Sequence, residues 1–272
     1  MMMKHKHPRS FHDYDHAKEY DRKASKSDFR ALLAARLLKL LALNGSEAVL
    51  DIATGTGQFA RPVAAQLTSG AIFGVDDAAA MLRVGREEVE EPLLARYFQV
   101  VALAQALPFT SGAFDHAFTA FAFHHFGGVP AEVVREAHRV LNSAGRFVIL
   151  DPVLQEPRDR VDHAVHDLVQ QVFRRENGED FRFYSVTEIQ AILENNGAWK
   201  TTATDVQRLS FDQPDMDGIP TGPHWVEAAA ELENQPEELR QRFEENYFRC
   251  VKEGEGYRVT GSLRYALVWA TK

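Results

Sequence analysis

The chain has 272 residues, a formal net charge of -8 at pH 7 and one cysteine, Cys250. Hydrophobic residues make up 45% and charged residues 26%, as in one large globular domain or one domain with an insertion. An acidic chain repels phosphate backbones, so nucleic acid is not an expected partner. A lone cysteine excludes an intrachain disulfide, and no apolar run is long enough to cross a bilayer. With no recognisable secretory signal, a cytoplasmic location is expected.

The predicted elements begin after residues 1–12, which we expect to be disordered. Leucines at helical spacing predict a helix that Ser27 caps and Asn44-Gly45 ends. Strands then alternate with helices, which predicts a doubly wound α/β fold with a mostly parallel sheet. The first strand contains Val49, Leu50 and Ile52. The other strands are predicted at 71–76, 97–102, 114–121 and 145–151, with helices at 58–66, 78–90 and 131–141.

After Asp151 the pattern changes. Helices are predicted at 161–174 and 186–195, the second with Ser185 as its cap and Gly197 as its end. Two strand-like segments, 199–211 and 264–271, flank an acidic stretch with predicted helices at 225–233 and 237–250. The sequence therefore predicts a main domain formed by 13–211 and 257–272, with a helical cap, 212–256, inserted before the last strand.

The segment VLDIATGTGQFA, from Val49 to Ala60, predicts a ligand-binding turn between a buried strand and a helix. Gly55 and Gly57 permit positive φ and allow the backbone to approach a ligand closely. Such a turn binds a nucleotide-like ligand at the carboxyl edge of the sheet, and it also fits the dinucleotide fingerprint. Asp76, 19 residues after Gly57, can accept bonds from both ribose hydroxyls. Alternatively Asp76 or Asp77 caps the following helix, a role for which Asp77 is better placed.

Five segments in this order resemble the class I methyltransferases that use S-adenosylmethionine (SAM): VLDIATGTG, FGVDDAAAML, ALPFTSGAFDHAF, AFHHF and HRVLNSAGRFVILDP. The resemblance is closest to the small-molecule branch that includes quinone C-methyltransferases. It implies a seven-stranded Rossmann-like sheet whose last strand is antiparallel. It also implies methyl transfer from SAM to carbon or oxygen of a small aromatic or apolar acceptor, with S-adenosylhomocysteine (SAH) as product.

The resemblance also implies roles for particular residues. Asp51 would hold the amino-acid end of the cofactor, Asp76 the ribose, and Tyr20 the carboxylate or a lid. Met81 would pack on adenine, although plain core packing explains it equally well. The full predicted cofactor site is Tyr20, Asp51, Ala53, Gly55, Gly57, Asp76, Asp77, Met81, Leu103, Ala104 and Phe121. Relatives often carry an acid where this chain has Leu103, so adenine must be held by backbone carbonyls, Gln105 or water.

His124 and His125 follow the fourth strand, where the acceptor is expected. A neutral imidazole there can remove a proton from a phenol or enol, or one histidine can instead bond the backbone and shape the loop. Phe173, Arg174, Phe183, His224 and Trp225 either line the acceptor pocket or simply pack. The helical pairs His12/His16 and His163/His166 are not expected to bind metal, because methyl transfer to small molecules rarely needs one.

Two other functions fit the sequence. Leu103 gives some support to a non-catalytic SAM- or SAH-binding protein on the same fold. The glycine fingerprint is shared with NAD(P)-dependent oxidoreductases.

The segments YDRKASKSDF and ILDPV depart from the quinone methyltransferases, so the acceptor is predicted only as a small molecule. A homodimer is compatible with the sequence.

Overall fold

Seven strands form one continuous twisted sheet in the order β3-β2-β1-β4-β5-β9-β7. A computed structural model of the chain describes residues 11–214, 222–253 and 256–272. The strands are β1 (Ala48–Ile52), β2 (Ala71–Asp76), β3 (Tyr97–Val101), β4 (Phe114–Ala120), β5 (Leu141–Leu154), β6 (Tyr184–Ser185), β7 (Thr201–Gln213), β8 (Phe248–Glu253) and β9 (Gly256–Thr271). Strands β1 to β5 are parallel, and β9 runs antiparallel to both β5 and β7. The predicted doubly wound sheet with an antiparallel last strand is confirmed.

Helices flank this sheet and follow most of its parallel strands. They are α1 (Tyr14–Ala24), α2 (Asp28–Leu41), α3 (Ala60–Ala64), α4 (Ala79–Glu87), α5 (Pro130–Val140), α6 (Arg160–Asn177), α7 (Val186–Asn195), α8 (Gly222–Glu231) and α9 (Glu237–Asn246). Among the residues that the structure describes, no helix is both long and apolar enough to cross a membrane.

Both faces of the central strands are buried, which explains why they are almost continuously apolar. Successive residues belong to different cores: Val49 lies in one apolar cluster and Leu50 in the other, and Val148 and Ile149 divide in the same way. The chain reverses its direction of winding between β1 and β4, which are neighbours in the sheet. Ligands of such folds bind at this switch point, beyond the carboxyl ends of the strands.

Several predicted boundaries are wrong. The helix after Ser27 ends at Leu41 rather than at Asn44-Gly45, because Ala42 adopts the left-handed conformation and its N–H bonds the Leu38 carbonyl. The predicted helix 58–66 is reduced to α3, so only 60–64 is helical and the loop N–H groups do not lie on a long helix. Helix α1 lies in a segment to which the sequence assigned no element.

The predicted helix 237–250 is also wrong beyond Asn246. Residues 248–253 form β8, which pairs antiparallel with β9 residues 256–261. Buried Phe248 is followed by exposed Arg249, an alternation that suits a strand. Elements α8, α9 and β8 lie between β7 and β9 in chain order, within the segment predicted as a cap. The residues predicted to be disordered, 1–12, fall outside the described residues except for the last two.

Candidate functional site

The loop after β1 has an unusual backbone conformation. Ala53 (φ +57°), Gly55 (φ +57°) and Gly57 (φ +79°) all have positive φ. Glycine adopts this region freely, whereas Ala53 does so at a steric cost. The Thr54 N–H bonds the Val75 carbonyl of β2 at 2.9 Å, and the Gly57 N–H returns to the Thr54 carbonyl at 2.9 Å. The loop is therefore a tight turn that leaves a concave backbone surface beside the carboxyl ends of β1 and β2.

Asp51 is buried at the end of β1 and joins a short polar chain. Its Oδ2 accepts a hydrogen bond from Thr54 Oγ1 at 2.7 Å, and the same hydroxyl lies 3.2 Å from Tyr97 Oη. Burial raises the pKa of Asp51 well above its ordinary value, the Thr54 bond opposes this, and the Asp76 carboxylate adds to it. A nearby cation would therefore strongly stabilise the charged form of Asp51.

Asp76, at the end of β2, is bonded to the glycine loop. Its Oδ2 accepts from the Gly55 N–H at 2.8 Å, and its Oδ1 from the Ala78 N–H at 2.9 Å. Each carboxylate oxygen keeps a further lone pair for a hydroxyl donor. Burial raises the pKa of Asp76, against these two backbone bonds. Asp77 is exposed, and the cap residue of α4 is Ala78 without a side-chain bond, so the capping role preferred for Asp77 is wrong.

Helix α1 covers this loop. Met81 of α4 is buried in a small cluster with Ala17, and Tyr20 packs partly against the same cluster. Buried Asp21 of α1 accepts a bond from Gln58 Nε2, directly after the glycines, and pairs with Arg61 at 3.3 Å. These bonds fasten α1 to the loop. Sequence reasoning missed Asp21, because a single aspartate in a polar segment gives no signal of burial.

The segment after β3 carries Leu103 and Ala104. Leu103, the leucine at the position where relatives often carry an acid, is 49% exposed, and Ala104 is partly buried. The L-P-F turn that follows is held by α5, where Glu136 accepts the Leu107 N–H at 2.8 Å. Arg139 Nη2 donates to the Leu107 carbonyl at 3.0 Å. These bonds fix the backbone that ends this side of the site.

Phe121 follows β4 with φ +56°, and its N–H bonds the Leu150 carbonyl at 2.8 Å. Its ring lies 5.4 Å from that of Tyr265 in β9. The guanidinium of Arg30, from α2, lies 4.6 Å from the Phe121 ring centre and 5.4 Å from that of Tyr20. Within the described residues Arg30 pairs with no carboxylate. The structure therefore brings Tyr20, Phe121 and a cation together, and sequence analysis did not identify Arg30.

His124 and Asp151 form a buried pair at the carboxyl ends of β4 and β5. His124 Nδ1 lies 2.8 Å from Asp151 Oδ2, which also accepts the His124 backbone N–H at 3.0 Å. Both side chains are nearly inaccessible, and Asp151 Oδ1 has no partner among the described groups. The His125 ring lies 4.3 Å from the His124 ring and 5.6 Å from Phe11. Sequence analysis missed Asp151, although an acid at the end of a buried strand was a usable signal.

Aromatic side chains pack around this pair. Phe183 lies 5.5 Å from the His124 ring, stacks on Trp225 of α8 at 5.9 Å and contacts Phe173 at 4.7 Å. Arg174 Nε bonds the Phe181 carbonyl at 2.9 Å, which is a structural role. The side chain of His224 lies outside the described residues. Of the helical histidine pairs, His163 is exposed and His166 is buried.

Comparison with known proteins agrees with this architecture. Residues 50–149 match a family model described as a methyltransferase domain. The ubiquinone/menaquinone biosynthesis C-methyltransferase UbiE of Geotalea uraniireducens is 40% identical over 105 residues, which cover 38% of this chain and 44% of that protein. The demethylmenaquinone methyltransferase of Thermus thermophilus is 38% identical over 104 residues, covering 38% and 46%. The chain thus matches less than half of each of these two relatives.

The crystal structure of the YcgJ protein from Bacillus subtilis has the same fold, with a TM-score of 0.69 at 23% identity. The alignment covers 88% of this chain and 97% of that protein. Fold, glycine loop and family match together define the class: residues 50–149 form a class I SAM-dependent methyltransferase domain. SAM is the methyl donor of this class and SAH is its product. The particular likeness is a distant one, to the quinone C-methyltransferases.

Proposed function

We propose that this protein transfers the methyl group of SAM to a small aromatic or apolar acceptor whose reacting atom carries an acidic proton, as in a phenol or an enol. The observation that carries the proposal is the buried His124–Asp151 pair. It lies at the carboxyl edge of the sheet, where Phe121 follows β4 and where this class of fold binds its ligands.

The residues present fit the donor. An added Cβ at Gly57 would lie 2.6 Å from Tyr97 Oη, so a side chain at this position of the loop would clash with Tyr97. Asp51 would bind the ammonium group, Asp76 the ribose hydroxyls and Arg30 the carboxylate. The other proposed contacts are Tyr20, Ala53, Gly55, Met81, Ala104 and Phe121. When bound, SAM supplies an electrophilic methyl group on a sulfonium.

His124 is proposed to remove the proton of the acceptor. An ionised carboxylate only accepts hydrogen bonds, so Asp151 fixes the proton of the imidazole on Nδ1 and leaves the lone pair on Nε2. That nitrogen can then accept the proton of a hydroxyl group. The proposed role of His125, which packs beside His124, is to contact the acceptor.

Elements α8, α9 and β8 are proposed to cap the acceptor. Their aromatic side chains, with Phe181 and Phe183, form an apolar wall that suits a ring and excludes water. A positioned, dry acceptor is most of what an in-line displacement requires. The names of the two quinone-methylating relatives support a ring-containing acceptor, although the shared region is the donor-binding domain.

The proposal is tested with SAM and a panel of phenols and quinols, with SAH formation as the measurement. We expect turnover that His124→Gln lowers by about 10²- to 10⁴-fold, the usual contribution of a general base. Asp151→Asn should lower it as well, because Asn can hold the wrong tautomer. The control is His163→Gln, an exposed histidine on α6. Unchanged rates in both site variants would exclude His124 as the base.

The same samples separate the alternatives. Calorimetry with SAH and with NADH should show binding of SAH alone, and binding of NADH instead would indicate an oxidoreductase. Tight SAH binding without turnover of any acceptor would indicate a binding protein, an alternative that the exposed Leu103 favours. Failure to bind SAM and SAH would overturn the proposal entirely.

A further inference from the structure

Two arginines face each other across β7 and β9. Arg208 and Arg264 are directly opposite in the antiparallel register. Like charges in such a cross-strand pair destabilise a sheet. Arg208 Nε donates to Ser262 Oγ at 2.7 Å, whereas Arg264 makes only a long bond of 3.5 Å to the Asn246 carbonyl. Within residues 11–214, 222–253 and 256–272, neither guanidinium pairs with a carboxylate.

Arg264 is also partly buried, so its charge is poorly solvated. Burial lowers the pKa of Arg264, and the nearby cations Arg208 and Arg158 lower it further. Arg158 itself is paired with Asp162 at 2.8 Å. A half-buried cation that has cationic neighbours and no acid beside it in the described part of the chain is a costly arrangement, which an anionic ligand would relieve.

The groups around Arg264 form a narrow crevice between the sheet and the proposed cap. It is lined by Phe183, Trp225, Leu263 and Tyr247, with Arg264 at one side. Tyr247 is 4% exposed, and its hydroxyl has no hydrogen-bond partner in the described part of the chain. A buried phenol without a partner is a donor left over for a ligand. Phe183 also touches His124, so the crevice adjoins the proposed reaction site.

We propose that the acceptor is an aromatic acid whose carboxylate binds Arg264 and the Tyr247 hydroxyl, with Arg208 adding positive potential. Its ring lies against Phe183 and Trp225. A single planar guanidinium with one hydroxyl suits a planar carboxylate, which accepts two parallel N–H bonds from arginine. The crevice holds no free volume for a ring in this structure, so the proposal requires Trp225 and Tyr247 to move apart when the acid binds. This inference rests on the proposed methyl transfer and specifies the class of its substrate.

The test compares an acid with its neutral counterpart, 3,4-dihydroxybenzoate with catechol, by calorimetry on SAH-saturated protein. The wild-type protein should bind the acid at least about tenfold more tightly, which is about 1.4 kcal/mol. Arg264→Met should abolish this preference, and Arg264→Lys should keep part of it. Arg249→Met, an exposed arginine on neighbouring β8, is the matched control and should leave the preference unchanged. Circular dichroism verifies that each variant is folded.

An acid that binds no better than catechol, or a preference that Arg264→Met leaves intact, overturns the proposal. Inorganic phosphate that displaces the acid at equal concentration would replace the carboxylate assignment with a general anion site. Turnover is measured separately on the same samples. Methylation of catechol without a preference for the acid would overturn this inference and leave the proposed function standing. A preference for the acid that persists in His124→Gln would show that recognition is independent of the base.

Discussion

Replacing Gly57 with alanine should damage both the stability of the fold and the donor site. Gly57 has φ +79°, and an alanine in the left-handed region costs about 1–2 kcal/mol. The new Cβ would also lie 2.6 Å from Tyr97 Oη and 3.2 Å from two carbons of its ring. Tyr97 is 1% exposed and its hydroxyl contacts Thr54, so the ring has no free space into which it can move.

The size of the effect follows from these two terms. Overpacking of a close-packed interior costs about 1–3 kcal/mol, so Gly57→Ala should lower the free energy of unfolding by about 2–5 kcal/mol. Gly112 provides the matched control. It has φ +75°, but an added Cβ would meet no atom within 4 Å. Gly112→Ala should therefore lower the free energy of unfolding only by the cost of a left-handed alanine, about 1–2 kcal/mol.

Urea unfolding followed by circular dichroism measures both losses, and calorimetry measures SAH affinity. Displacement of Tyr97 disturbs Thr54, which bonds Asp51, so Gly57→Ala should weaken SAH binding more than tenfold while Gly112→Ala leaves it unchanged. Adding Tyr97→Phe to Gly57→Ala removes the closest contact and should recover part of the stability. Equal losses in Gly57→Ala and Gly112→Ala, or no recovery with Tyr97→Phe, would refute the reasoning.

Four further predictions concern the donor site and the cap. SAM affinity should fall as the pH is lowered from the neutral into the acidic range, because burial raises the pKa of Asp51 and Asp76 and protonation removes the charges that attract the ligand. Calorimetry across this range measures the affinity, and a flat profile would contradict the prediction. Because the pKa of Asp51 is raised in the folded protein, ionisation of this carboxyl opposes folding. Asp51→Asn should therefore stabilise the ligand-free protein at the upper end of this pH range, which urea unfolding measures. The same substitution should weaken SAM binding, which calorimetry measures. Leu103→Asp should tighten SAH binding by up to about tenfold if it gives adenine the acid that relatives carry. Val101→Asp, at another exposed position, should have no such effect. Finally, Asp162→Ala should lower the free energy of unfolding by about 3 kcal/mol, because this inaccessible carboxylate joins α6 to α9 through Arg242 and Asn246. Asp167→Ala, at an exposed position on the same helix, is the control and should cost little in urea unfolding. Equal losses in the two variants would argue against the link.

The elements that local chemistry specifies were predictable from the sequence. Ser185 and Glu188 form the capping box of α7, and that helix has the predicted bounds, Val186–Asn195. The glycine loop and the acid at the end of β2 were recognisable because a tight turn requires residues that tolerate positive φ. Helix α9 shows the limit: its polar sequence continues without a break, and only pairing with β9 makes 248–253 a strand.

What the sequence by itself determined was the alternation of strands and helices and the donor-binding loop, since both depend on residues close together in the chain. The tertiary structure decided which distant groups meet. Asp151 reaches His124 from a different strand, Asp21 reaches Gln58 from a helix that sequence analysis left unassigned, and Arg264 faces Arg208 through the register of two long antiparallel strands. Burial then decided what these groups can do, because an unpaired charge or hydroxyl has a chemical consequence only where water cannot solvate it.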